Sequence, residues 1–346
     1  MLDHRDKLIV EFVREHPECS SKEVFGSLSH VGSYATIKRI LSQLSNEQLI
    51  ETIGRGKATK YKLADFFECI ETIDIDLYFQ KEIDERIIKN SFNFELFEGV
   101  LKKFNLFYPK EIEKLDVLQS RFVLNTTSIS PITYQKEMER LANDLSWKSS
   151  QIEGNTYSLL ETEKLLKDKE TASGKTKDEA VMLLNHKVAI DFIIAQPDYL
   201  FPLTISKIVD IHSLLIKDLN IDKNVRKSRV GISGTNYKPL DNEFQIIDAL
   251  NFTCDLINSK ENAFEKALLA LVLVSYIQPF QDGNIRTARI VSNAILLHDH
   301  HCPLSFRTVD SVDYKKAMLL FYEQNNISAI KKIFIDQYEF AVKTYF

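Results

Sequence analysis

Apolar residues recur at helical spacing along most of this chain. Leu8, Ile9, Phe12 and Val13 define one face of a first helix, which Pro17 stops. Ser20 and Ser21 suit the cap of a short second helix holding Val24 and Leu28. Ser33 can cap a third, with Ile37, Ile40, Leu41 and Leu44 on one side and Lys38 and Arg39 on the other. The period then changes from helical to alternating. Residues 51–63, ETIGRGKATKYKL, predict a β-hairpin around a Gly-Arg-Gly turn. Residues 66 to about 110 mix Phe and Ile without linker character and predict a segment packed on the helices C-terminal to it. From Tyr108 to Phe346 amphipathic helices succeed one another, with no internal repeat.

Composition agrees with that pattern. The chain has 346 residues, enough for two domains, and only 10 Gly and 8 Pro to interrupt helices. Its 44% hydrophobic and 27% charged residues are those of an ordinary globular protein. A net charge of −5 excludes a generic polyanion binder, so any nucleic-acid contact must be local. Cys19, Cys69, Cys254 and Cys302 are far apart, which argues against a zinc site or disulfide framework and for a reducing, cytoplasmic setting. The start, MLDHRDKLIV, lacks signal-peptide character. The longest apolar run, residues 268–277, is about half the roughly 20 residues a membrane span needs, and predicts a buried helix rather than a membrane partner.

Three helices and a basic hairpin resemble a winged helix-turn-helix, which implies DNA as a partner. Between His30 and Leu63 stand six basic residues, Lys38, Arg39, Arg55, Lys57, Lys60 and Lys62, against Glu47 and Glu51. Lys38, Arg39, Arg55, Lys57 and Lys60 are the candidate DNA contacts. The competing reading is a protein-docking module with a solvated basic hairpin.

The chemistry concentrates in residues 278–289, QPFQDGNIRTAR. An apolar helix, residues 263–277, runs into Pro279, and a second helix begins near Ile285. Asp282-Gly283-Asn284 between them is turn chemistry. Free N–H groups at the start of the second helix can grip an anion. Arg286 and Arg289 lie on one face near that start, and paired guanidinium groups suit a polyphosphate. Asp282 at the rim can hold a hard cation such as Mg²⁺. His298, His300 and His301 sit at a helix C-terminus, where cationic side chains are favoured without any metal. His212, on an apolar helix, is expected to be a hydrogen-bonded core residue.

The loop resembles the active-site motif of the Fic/Doc (Fido) family, His-Pro-Phe-x-Asp/Glu-Gly-Asn-Gly-Arg-x-x-Arg. It matches at Pro279, Phe280, Asp282, Gly283, Asn284, Arg286 and Arg289, and departs at Gln278 (His in the family) and Ile285 (Gly). Residues 149–155, SSQIEGN, resemble the family's inhibitory motif, with Ser149, Glu153 and Gly154 in place. Residues 229–240, RVGISGTNYKPL, resemble its target-docking flap, with Val230, Gly231, Ile232, Ser233 and Gly234 as the docking edge. The resemblance spans about residues 66–346. It implies a mainly α fold: a helical core with a β-hairpin flap, beside the N-terminal winged helix. The expected domains are residues 1–65, a helical part over 66–203, and a core over 204–346.

The resemblance also implies roles. ATP is substrate or ligand, and Mg²⁺ is held by Asp282. Gly283, Asn284, Arg286 and Arg289 bind phosphates, and Tyr314 and Asn325 border the base, with packing and a helix end as their plainer alternative. Glu153 pairs with Arg289 and keeps the γ-phosphate out of place. The target is another protein or the chain itself. Gln278 stands where the family's histidine takes a proton from the attacking hydroxyl, and an amide cannot serve as that base. The expectation is a nucleotide-binding protein weak or inactive in AMP transfer. The alternatives are a DNA-binding regulator whose Fic part senses nucleotide or a partner, and a de-AMPylating hydrolase using Glu153.

Overall fold

The computed structural model describes residues 3–346, without the side chain of Lys57. The chain divides into two compact units, up to Thr72 and from Ile73 to Phe346.

In the first unit, α1 (His4–Glu15), α2 (Ser21–Ser27) and α3 (Tyr34–Asn46) surround a small antiparallel sheet. Its strands are β1 (Cys19–Ser20), β2 (Ile50–Ile53) and β3 (Lys60–Leu63), in the order β1-β3-β2. Each helix starts on a side chain that accepts from an otherwise unpaired backbone N–H: Asp3, Ser20 and Ser33. The β2–β3 register, Ile50 opposite Leu63 and Thr52 opposite Tyr61, turns Ile50 and Leu63 inward. They join Ile9, Val13, Val24, Ile37, Leu41 and Leu44 in one core. The connection needs glycine at Gly54, where φ is +78° and a Cβ would lie 2.9 Å from the Ala58 carbonyl oxygen. The unit runs past the hairpin because Phe67, on α4 (Asp65–Ile70), packs into that core.

The second unit is helical. It holds α5 (Ile75–Tyr78), a π-turn at Phe97–Leu101, α6 (Pro109–Ser128), α7 (Pro131–Ile152), α8 (Leu159–Asp168) and α9 (Lys177–Ala195). Next come α10 (Ile205–Leu215), α11 (Glu243–Ser259), α12 (Ala263–Ile277), α13 (Asn284–His298), α14 (Ser311–Gln324) and α15 (Ser328–Tyr345). The apolar run predicted as a buried helix is α12, covered on every side by α11, α13, α14 and α15. Among the described residues no helix is long and apolar enough to cross a membrane. α13 packs on α12, and its other neighbours are α7, α9 and α10. Those contacts bring the loop between α12 and α13 beside the end of α7.

The expected β-hairpin over residues 229–240 does not form: the segment is irregular and contains no strand. Its backbone and side-chain groups find partners elsewhere instead of across the segment. Arg86 Nη2 donates to the Gly234 carbonyl at 2.7 Å, Asn236 to Asp84 at 2.9 Å, and the Lys238 amide to the Asn90 carbonyl at 3.1 Å. Ser91 and Lys238 form one isolated parallel bridge. Gly231, Ser233, Gly234 and Asn236 interrupt Val230, Ile232, Thr235 and Tyr237, so the segment offers no continuous run of the β-branched and aromatic residues that hold strands together.

Candidate active-site loop

The last turn of α12 closes on Gln278, whose backbone is left-handed (φ 51°, ψ 58°). Its side-chain amide is occupied at both ends. Nε2 donates to the Ser275 carbonyl at 2.7 Å, and Oε1 accepts from Asn284 Nδ2 at 2.9 Å. Asn284 also accepts from the Phe280 amide at 2.8 Å and donates to the Phe280 carbonyl, so its side chain staples the loop. Gly283 precedes α13 at φ +78°, a left-handed conformation that favours glycine, and a Cβ there would touch His212 and Ile216 at 3.4 Å. His212, on α10, is more than a core residue. Its ring stacks flat on Phe280 at 3.7 Å, and Nε2 lies 3.0 Å from the Asp282 carbonyl oxygen. Burial lowers its pKa, so a neutral ring supports the loop from beneath.

Arg286 and Arg289 are buried, which long cations rarely are without partners. Arg286 Nη2 reaches Asp282 Oδ2 at 3.2 Å, while its Nε and Nη1 have no partner among the described residues. Buried donors without acceptors are costly, and an anion in the loop would satisfy them. Arg289 lies over the Tyr314 ring, 4.6 Å from its centroid. Its Nη1 donates to Ser149 O at 2.8 Å and to Ser149 Oγ, and its Nη2 pairs with Glu153 Oε1 at 2.9 Å. Burial opposes the charge on Arg289, but Tyr314 and Glu153 outweigh it and raise its pKa above the ordinary value.

Glu153 is the residue that ends α7, where the helix dipole disfavours a carboxylate. Arg289 offsets this. Gly154 follows at φ +99°, and the turn is then tied to α9. Glu179 accepts from the amide and hydroxyl of Thr156 and also caps α9 through Thr176. The Thr156 hydroxyl first, then the backbone bonds, hold the Glu179 carboxyl down to about 2. A carboxyl lowered on folding stabilises above its unfolded pKa and ceases to as pH falls through the folded one. Glu179→Gln is therefore expected to lower Tm at pH 7, with the gap to the native protein closing between about pH 4.5 and 2. Parallel melts across that range check it, and a gap that persists at pH 2 refutes it.

The fold thus brings Ser149, Glu153, Arg289 and Tyr314 together, and presents Asp282, Gly283, Asn284 and Arg286 from one loop. It does not use Asn325 that way. Asn325 ends α14 in a left-handed conformation, donates to the Tyr276 hydroxyl at 3.1 Å and accepts from Asn93, which is a packing role. Ile285 lies in the first turn of α13 with φ negative, a conformation open to a β-branched residue. His298 stacks on Phe201 and reaches Asp198 at 2.9 Å. Among the described residues, no group of three or more His, Cys, Asp or Glu could hold a metal by itself. In the first unit Lys38, Arg39 and Arg55 are exposed, but Lys60 faces Glu18 at 3.7 Å, and Lys62 faces Glu51 at 3.3 Å and Asp65 at 3.1 Å. The Lys57 side chain lies outside what is described.

Two residues escape sequence reading. Arg226 donates through Nε to the Gln278 carbonyl at 2.6 Å, and through its other nitrogens to the Ser228 and Leu240 carbonyls. Its backbone N–H also donates to the Pro279 carbonyl. It therefore binds the ends of the 229–240 segment to the loop. In the sequence it is one cation in a basic stretch, RKSR. His186, on α9, reaches Ser149 from a stretch with no motif around it.

Residues 202–296 match the Fic/DOC family model. The chain carries a Fic/DOC domain. It is 27% identical over 205 residues to a protein adenylyltransferase Fic of Aedes aegypti, covering 56% of this chain and 40% of that one. It is 29% identical over 175 residues to one of Nematostella vectensis, covering 49% and 40%. The chain thus spans about 40% of the length of these relatives. Among solved structures, Fic-1 (residues 134–508) of C. elegans aligns over 68% of this chain and 72% of its own, with TM-score 0.60 and 19% identity. A Fic domain containing signaling protein of Bacteroides thetaiotaomicron aligns over 67% and 96%, with TM-score 0.55 and 19% identity. These structures share the helical fold. The Fic/DOC match includes the 278–289 loop, Arg226 and His212, and stops short of Tyr314. Ser149, Glu153 and His186 precede it and join the domain's loop only through tertiary contact.

Proposed function

We propose that this Fic-family, adenylyltransferase-like chain binds ATP on the 278–289 loop and is weak or inactive in AMP transfer. The observation that carries the reading is Arg286: a guanidinium buried at the start of a helix, with two N–H-bearing nitrogens lacking any acceptor among the described residues. A phosphate is the partner such donors fit. Asn284 and the loop amides near Gly283 would take the α-phosphate, and Arg286 and Arg289 the outer ones. The Asp282 side chain is 59% exposed and stands at the rim as a single carboxylate, which suits Mg²⁺ shared with phosphate oxygens rather than a closed protein cage. When bound there, the cation would neutralise phosphate charge.

In AMP transfer a target hydroxyl oxygen attacks the α-phosphate, pyrophosphate leaves, and the hydroxyl proton needs an acceptor. Gln278 offers an amide with no useful basicity, already bonded to Ser275 and Asn284. Glu153 competes with the outer phosphates for Arg289. Calorimetry with Mg²⁺ and ATP tests the binding. Binding heat is expected from the native chain, and Arg286→Ala should weaken affinity by about 10–100-fold, as loss of a charge-assisted bond does. Equal affinity for both proteins would remove the phosphate site.

A second reading rests on the first unit. Its exposed Lys38 and Arg39, on α3, and Arg55, in the hairpin turn, leave a smaller basic surface than the sequence suggests, since Lys60 and Lys62 face acids. If this winged-helix-like unit binds DNA, Lys38→Ala and Arg39→Ala should each weaken retention, and affinity should fall steeply with salt. A filter-binding titration at two salt concentrations checks this. Unchanged retention in both variants leaves the docking-module reading.

A further inference from the structure

His186 is a buried titratable group that the nucleotide reading leaves without a role. It stands on α9, and its Nε2 lies 2.6 Å from Ser149 Oγ. The same oxygen accepts from Arg289 Nη1, while Arg289 Nη2 holds Glu153. Three helices, α7, α9 and α13, thus meet at one serine hydroxyl.

A serine hydroxyl has one proton and two acceptor sites, and it rotates freely unless a neighbour fixes it. Pointed at Arg289, its proton would repel the guanidinium. A neutral imidazole leaves a lone pair for Arg289 in either tautomer. If Nε2 accepts, the hydroxyl proton points at His186 and the lone pairs remain for Arg289. If Nε2 donates, it takes one lone pair and leaves the other. Protonating the ring would place a third cation beside Arg289 and Arg286. Burial first, and then those two charges, hold its pKa well below the usual histidine value. The other ring nitrogen, Nδ1, has no partner among the described residues, so the ring's polar bond goes to Ser149.

We infer that His186 is a positioning residue of the inhibitory contact: it orients the Ser149 hydroxyl so that Arg289 stays docked on α7, beside Glu153 and away from an incoming phosphate. The inference rests on the reading of Glu153 as inhibitory. It predicts that His186 acts on nucleotide affinity through Glu153 and Arg289, without touching the nucleotide.

The test is a calorimetric cycle on the full chain with Mg²⁺ and ATP. His186→Leu alone is expected to tighten ATP binding several-fold, in the same direction as Glu153→Gly. In the Glu153→Gly background it should add nothing, because the contact is already open. His186→Gln, which keeps a polar atom near Nε2, should return affinity toward native. Ser149→Ala removes the oriented hydroxyl with a smaller change in volume, and should reproduce His186→Leu if that variant folds poorly. A His186 effect of equal size in both backgrounds overturns the inference and marks a packing or nucleotide-contacting residue. Tighter binding in Ser149→Ala with no change in either His186 variant overturns it too. If Glu153→Gly itself leaves affinity unchanged, the inhibitory reading is what fails, and the inference falls with it.

Discussion

The double variant Gln278→His, Glu153→Gly is expected to label itself with AMP from radiolabelled ATP, at a rate above the product of the two single gains. The two changes act at different steps. Gln278→His restores a base, worth about 10²–10⁴-fold when such a group is well placed. Glu153→Gly frees Arg289 Nη2, now paired with Glu153 at 2.9 Å, for the outer phosphates. Either obstacle left in place limits the other repair, so the effects should not add. The backbone favours the repair: residue 278 is left-handed at φ 51°, a region in which histidine is among the more frequent non-glycine residues. Gln278→His alone should label weakly and Glu153→Gly alone hardly at all. The reading of Gln278 fails if the native chain labels as fast as its histidine variant. A silent double variant that still binds ATP moves suspicion to the rest of the loop, and Ile285→Gly is the next addition.

Arg226→Ala is expected to cost about 3 kcal/mol of stability and to abolish labelling by the repaired loop. Its guanidinium donates to the Gln278, Ser228 and Leu240 carbonyls, and it is buried with Gln278 and Leu240, while Ser228 is exposed. Truncation strands these acceptors, and each buried acceptor left unsatisfied costs on the order of 1–3 kcal/mol, less what relaxation and water recover. Arg226→Lys should rescue little, because one ammonium cannot reproduce the planar fork that reaches three carbonyls. Chemical denaturation measures the stability, and labelling in the Gln278→His, Glu153→Gly background measures the loop. Native-like stability and labelling in Arg226→Ala would show that the loop holds its shape without this residue.

Much of this was legible in the chain because it depends on local rules. The caps Ser20 and Ser33 start the helices they were expected to start. The alternation around Gly54 and Gly56 forms the β2–β3 hairpin, and the apolar run becomes the all-round buried α12. The loop was legible too, since its turn glycine, its stapling asparagine and its two arginines lie within one turn and one helix start. Residues 229–240 misled because a likeness to a hairpin carries no information about competing partners. Arg86 and Asn90, more than a hundred residues upstream, take backbone bonds a second strand would have taken, and Asp84 holds the Asn236 side chain.

By itself, then, the sequence determined the first three helices, the β2–β3 hairpin, the buried α12 and the glycine turn that opens α13, all set by periodicity, caps and turn chemistry within a few residues. Only the tertiary structure decided how that loop is held and restrained. The packing of α7 and α9 on α13 puts Ser149, Glu153 and His186 around Arg289, and Arg226 and His212 reach the loop from other parts of the chain. It also decided which charges are spent: Glu18 and Asp65 fall on Lys60 and Lys62, shrinking a basic surface that looked larger when counted along the chain. The physical reason is the same in each case. A buried guanidinium or imidazole must find its partners wherever the core brings them, and sequence spacing does not encode which distant carbonyl, hydroxyl or carboxylate that will be.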